Sequence, residues 1–157
     1  MALNKDIAER IAAAKGSKTG NWIRDGRYLF EIVSLSAAKT FKGVMFIAEM
    51  KTVEAVKTSA TVEPNAVDSS VSYCVNLDDK LSLGVNNVKT FLSELTGEPP
   101  ESISAEDICE MAPTDAHGNP AQPQPLAGKR IRDEAFSRPQ QGNSAKFFTH
   151  HMWEHVK

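Results

Sequence analysis

The spacing of apolar residues along the chain changes period twice, and each change marks a change of element. Leu3, Ile7 and Ile11 recur at helical intervals with alanines between them, so residues 3–14 predict a short amphipathic helix that stops at Gly16. Residues 16–20 read as a polar loop. From Gly26 the period falls to two. Tyr28, Phe30 and Ile32 alternate with Arg27, Leu29 and Glu31 along a strand Arg27–Ser36. The alternation then shifts to Val33 and Leu35, which predicts a bulge that bends the strand. After a tight loop, Lys39–Gly43, a second strand Val44–Val56 places Phe46, Ala48 and Met50 on one face. Residues 57–69 read as loop. In the third strand, Val71, Tyr73, Val75 and Leu77 alternate with Ser70, Ser72, Cys74 and Asn76, which predicts one buried and one wetter face.

The period then lengthens. Leu81, Val85, Val88, Phe91, Leu92 and Leu95 form a helical stripe that ends at Gly97 and Pro99-Pro100. Ser104 and Asp107 have the spacing of a capping box, with Ile103 and Ile108 placed as a hydrophobic staple for a second short helix. Residues 113–127 carry Pro113, Pro120, Pro123 and Pro125 and read as an irregular connection. Two strands close the chain, Gly128–Phe136 and Lys146–Val156, with a loop Ser137–Ala145 between them.

Three strands, a helical insertion and two further strands give a mainly β fold with α insertions. This is the element order of a five-stranded OB-fold-like barrel, with the insertion between strands 3 and 4 and a short N-terminal helix. A doubly wound α/β fold would need alternating strands and helices, and a sandwich usually needs about seven strands. Another small β-barrel or sandwich stays open. The 157 residues suit one domain, 21–157, preceded by the helix and linker 1–20.

Charge changes this picture. The formal net charge is only −2, but it is unevenly spread. Residues 15–51 carry seven cations against three carboxylates, 52–128 three against twelve, and 129–157 six against three. Two basic segments therefore flank an acidic middle, and a fold that joins them makes a dipolar surface able to hold a polyanion. No apolar run approaches the roughly 18 residues of a membrane span, so no membrane partner is expected. Lys5, Asp6, Glu9 and Arg10 interrupt any signal-like core, and Cys74 and Cys109 make no disulfide or metal framework. A cytoplasmic, reducing location is the expectation.

In an OB-fold, ligands lie across strands 2 and 3 and between the loops joining strands 1–2 and 4–5. Here those loops hold Lys39, Phe41, Lys42, Arg138 and Lys146. Arg27, Arg130 and Arg132 add cations on the strands, the last two on one face, where they can meet phosphates or pair with Asp133 or Glu134. Tyr73 and Trp153 are aromatic candidates, each readable as core or as a stacking platform. Phe41, flanked by lysines at a loop tip, is the foremost stacking candidate. Lys and Arg neutralise phosphates and release counterions, while aromatic rings stack on unpaired bases. Together these ten residues predict a sequence-tolerant interface for single-stranded DNA. His151 and His155 share a strand face, but without further converging ligands no metal is expected. No phosphate loop or nucleophile elbow is present, so the chain reads as non-catalytic and without cofactor.

The run NWIRDGRYLFEIVSLSAAKTFKGVMFIAEMKTVEA, with SSVSYCVNLDDKLSLGVNNVKTFLSELTG and the closing FFTHHMWEHV, resembles OB-fold single-stranded-DNA-binding proteins of tailed bacteriophages and their relatives. The resemblance implies support of DNA replication or recombination in the cytoplasm of an infected bacterium, with phage replication or recombination proteins as partners. Bacterial proteins of that function end in an acidic tail, whereas this chain ends in MWEHVK. A protein-interaction or virion-structural barrel, as adaptor or host-enzyme inhibitor, is the competing reading. Oligomeric state is left open.

Overall fold

The computed structural model describes residues 22–40, 43–78, 83–140 and 143–157. The expected helix at 3–14, together with Phe41 and Lys42, lies outside them. Five strands, β1 (Gly26–Thr40), β2 (Gly43–Val56), β3 (Ser70–Asn76), β4 (Arg130–Gln140) and β5 (Asn143–His155), form one antiparallel sheet in the order β3-β2-β1-β4-β5. Two helices, α1 (Leu83–Thr96) and α2 (Ala105–Met111), are inserted between β3 and β4. The mainly β class, the strand count and the place of the insertion match the sequence pattern.

The bulge in β1 is present, and it does more than shift the alternation. Ile32 pairs with Met50 and Ser34 with Glu49, so Val33 is the extra residue and stands 55% exposed, while Leu35 is fully buried. Val33 was expected to face inward; it is instead the residue the bulge turns out to solvent. A second irregularity, between Leu29 and Phe30, brings Thr52 opposite Phe30. The inward rows are Tyr28, Phe30 and Ile32 on β1, Phe46, Ala48 and Met50 on β2, and Val71, Tyr73 and Val75 on β3. Val88, Phe91, Leu92 and Leu95 of α1 close over them, as their helical stripe predicts.

α2 starts as its sequence dictates. Ser104 Oγ accepts from the Asp107 backbone amide, and the Asp107 carboxylate accepts from the Ser104 amide at 2.9 Å, which satisfies two of the helix's first donors. Ile103 and Ile108 are both buried beneath it.

β4 pairs with β1 only over Gly26–Glu31, so the rest of β1 needs other partners along that edge. The irregular connection supplies them. Gln124 gives its side-chain amide to Leu35 in both directions, Oε1 accepting at 2.8 Å and Nε2 donating at 3.1 Å. Thr114 Oγ1 accepts from the Ala37 amide at 2.8 Å.

The last hairpin is longer than the sequence suggests. Ser137–Ala145, expected as loop, is strand on both sides of the turn, with Ser137 opposite Thr149 and Arg138 opposite Phe148. Pro139 lies beyond the β1–β4 ladder, where β4 is bonded on one side only, and there a proline costs a strand little.

The sheet is strongly curled. Tyr73 on one edge strand, β3, meets Trp153 and His151 on the other, β5, with ring centroids 4.9 Å apart in each pair. No ladder joins these two edges among the described residues; side chains and α1 bridge them. Phe91 of α1 sits edge-on to Trp153 at 4.7 Å and tilted to Tyr73 at 5.4 Å. Glu94 adds polar contacts to β5, its Oε2 accepting from the His155 amide at 2.9 Å. Gly97 ends α1 with φ of +84° directly over the His155 ring, where a side chain would meet both backbone strain and the imidazole 3.1 Å away.

Candidate functional site

Between the two sheet edges lies a groove of about 980 Å³, the size of a small-molecule site. β3 forms one wall from Ser72 to Asn76, β5 the other from Thr149 to Trp153, and Gly84, Asn87 and Thr90 of α1 roof it. Trp22 and Ile23 complete the lining where the described chain begins.

Trp22 is 59% exposed, yet its backbone is held. Asn65, itself buried, donates from Nδ2 to the Trp22 carbonyl at 2.7 Å and accepts on Oδ1 from the Arg24 amide at 2.8 Å. Tyr28 reinforces the clamp, donating from its hydroxyl to the Arg24 carbonyl at 2.7 Å and accepting from the Asn65 amide at 3.1 Å. A large indole kept in water on a fixed backbone is a platform with apolar area still to bury.

The floor is aromatic. His151 stacks on Trp153 with ring centroids 5.0 Å apart and planes 14° off parallel, and Tyr73 stands edge-on to both. Burial pushes the Tyr73 hydroxyl up to about 12, so it stays protonated. Behind His151 lies Asp133, whose Oδ2 is 2.7 Å from His151 Nδ1. The two meet because Asp133 is paired with Trp153 and His151 with Ala135, which makes them diagonal neighbours on the inward face. The Asp133 side chain is fully buried, and among the described residues its Oδ1 has no hydrogen-bond partner. Burial raises the carboxyl above its ordinary range, and the His151 hydrogen bond works against that rise. On the β3 wall, Ser72 is already committed, its Oγ lying 2.8 Å from each carboxylate oxygen of Glu49.

The predicted site residues fall into three places. Tyr73 and Trp153 are together on the groove floor, tied into the core through Phe91. Arg27, Arg130 and Arg132 stand on the outward face instead. Arg27 pairs with Glu134 at 2.6 Å and Arg130 with Glu31 at 3.3 Å. Asp133, read from sequence as a partner for the arginines, turns inward to His151, because β4 alternates and Ile131, Asp133 and Ala135 share the buried side. A shallow depression of about 270 Å³ on the outward face holds Arg27 and Arg132 but also Glu54, Glu134 and Glu154, a balance that does not favour an anion. The backbones of Lys39, Arg138 and Lys146, expected in loops, belong to strands β1, β4 and β5. Arg138 stands one rung beyond the Ser137–Thr149 pair and so beside the groove wall. Phe41 and Lys42 lie outside the described residues. Leaving the β1–β4 ladder, the two hairpins run in opposite directions along the strands.

No family model matches the sequence, and no curated protein does. The groove therefore stands on its own geometry. Its described lining contains no lysine or arginine; its aromatic side chains are Trp22, Tyr73, His150, His151 and Trp153, with Asn87 and Thr90 above. Sequence reasoning gave these residues other roles: Trp22, an aromatic near the expected groove, reads as a seal at the barrel end, Asp133 as a partner for the arginines, and His151 as a strand-face histidine without a metal. The available signal was Asp133, a lone charge in an otherwise apolar register of strand 4. Among the described residues no three His, Cys, Asp or Glu side chains converge as metal ligands, and no helix is long and apolar enough to cross a membrane.

Proposed function

We propose that this chain is an OB-fold-like barrel that binds single-stranded DNA without catalysis, taking unpaired bases into the groove between β3 and β5. The observation that carries the reading is Trp22, exposed on an Asn65-clamped backbone at a groove with an aromatic floor. Stacking on such rings contributes about 1–3 kcal/mol per base and tolerates any sequence. The strand order and the place of the helical insertion support the OB-fold reading, as does the approach of Tyr73 and Trp153 across the two sheet edges. In this reading the phosphates stay outside the lining, near exposed Arg24, two residues from Trp22, and where the Arg138 backbone borders the β5 wall; Lys39, Phe41, Lys42 and Lys146 remain expectations of the sequence. Arg27 and Arg130 drop out, since Glu134 and Glu31 engage them. Following the resemblance to phage proteins, we propose support of DNA replication or recombination in an infected bacterium as the setting of this activity.

Titration with a thymidine oligomer, followed by the fluorescence of the chain's two tryptophans, tests this. Quenching at low salt that weakens as salt rises is the expected result; no binding at low salt rejects the proposal. Trp22→Ala is expected to lose about 1–3 kcal/mol of binding at an unchanged melting temperature. An unaltered affinity would remove Trp22 from the interface.

A second reading rests on a separate observation. The groove-facing edges of β3 and β5 carry no ladder partner among the described residues, so an extended peptide could add to either. Saturable peptide binding without any oligonucleotide signal would favour it.

A further inference from the structure

A carboxyl interrupts the buried row of β4. Ile131 and Ala135, two positions to either side, are fully buried, and so is the Asp133 side chain between them. Among the described residues its Oδ1 has no hydrogen-bond partner. A buried polar atom left unpaired costs stability, and an apolar side chain in this row would carry no such cost. What Asp133 does instead is hold a ring, with its Oδ2 2.7 Å from His151 Nδ1.

That bond does not depend on where the proton sits. A carboxylate accepts from a protonated Nδ1, and a carboxylic acid donates to a bare one. In either form one hydrogen joins the two atoms and fixes the plane of the imidazole. The fixed plane lies 14° from that of Trp153, with ring centroids 5.0 Å apart, and Tyr73 stands edge-on to it at 4.9 Å.

Without the bond, Nδ1 would be a polar atom pressed against aromatic surface, a state a side chain escapes by turning to water. The His151 side chain is 12% exposed and lines the groove, so the water within its reach is the groove's. Turned that way, the imidazole would stand in the space a ligand fills and strip Trp153 of its stacked neighbour.

We propose that Asp133 is a positioning residue: through Nδ1 it holds His151 down on Trp153 and so keeps the seat between β3 and β5 open for an unpaired base. The inference rests on the single-strand reading above and adds the residue that shapes its seat. Stability given up at a functional position is a common trade.

Two substitutions separate holding from packing. Asp133→Leu fills the apolar row without a hydrogen bond, whereas Asp133→Asn can still accept from Nδ1 or donate to it. In the unliganded protein, the ¹H resonances of the His151 ring are expected to carry the ring-current shift of the stacked indole in the wild type and in Asp133→Asn, and to lose it in Asp133→Leu. Asp133→Leu is expected to bind a thymidine oligomer at least about fivefold more weakly, the loss of one stacked base. Asp133→Asn is expected to restore affinity close to that of the wild type. An Asp133→Leu protein that keeps either the ring-current shift or the affinity overturns the proposal, as does an Asp133→Asn protein that loses as much as Asp133→Leu. Should Asp133→Leu not fold, nuclear Overhauser contacts between the His151 and Trp153 rings in the wild type replace it. Contacts that persist with the thymidine oligomer bound support the proposal; their loss on binding overturns it. If the wild type binds no oligomer, the single-strand reading is rejected, and the unliganded spectra alone decide whether Asp133 holds His151.

Discussion

Phe91→Ala is expected to lower the unfolding free energy by about 3–5 kcal/mol, the usual cost of emptying a buried phenylalanine site. Phe91 is fully buried and contacts rings from three strands: Phe46 on β2 at 5.9 Å, Tyr73 on β3 at 5.4 Å and Trp153 on β5 at 4.7 Å. It is thus the pin by which α1 holds the two sheet edges together. Relaxation cannot fill the gap cheaply, because Tyr73 and Trp153 are already fixed against His151. Urea unfolding followed by circular dichroism measures the loss. The same variant is expected to weaken oligonucleotide binding, since the groove walls are those edges. A loss within about 0.5 kcal/mol, the range of surface substitutions, would contradict this packing.

Gly84→Ala has the second-largest expected effect, and its direction opposes helix propensity. Alanine favours a helix by about 1 kcal/mol over glycine. At Gly84, however, an added Cβ would lie 1.7 Å from the Asn76 carbonyl oxygen, the end of β3. That atom is backbone and cannot swing aside, so α1 must lift off the strand. A loss at or above the upper end of the roughly 1–3 kcal/mol typical of overpacking is expected. Gly84 and Asn76 both line the groove, so affinity for a thymidine oligomer should fall together with the melting temperature. A variant melting at or above the wild-type temperature would show that α1 does not start hard against β3.

The elements were legible where their cause is local. Alternation exposes β3, the capping box exposes the start of α2, and the spacing of Val88, Phe91, Leu92 and Leu95 exposes the buried face of α1. Elements were misread where a long-range partner overrides a local signal. Pro139, Gly142 and Asn143 look like a loop, yet β5 holds Ser137–Gln140 in a ladder. Val33 continues an apolar run, yet the β2 register throws it outward. Tyr73 and Trp153 were visible as aromatic candidates. Their meeting across some 80 positions of chain was not, nor was the exposure of Trp22, which depends on Asn65 reaching back from the β2–β3 connection.

The order of elements, the inward rows of β2 and β3 and the buried face of α1 were already written in the residue pattern, because periodicity and caps act over a few neighbours. The groove and its chemistry were not. Arg27 and Arg130 became partners of Glu134 and Glu31, and Asp133 a partner of His151, through strand register. A shift of one residue along a strand reverses which side chains face inward, and that register follows from how the whole sheet packs.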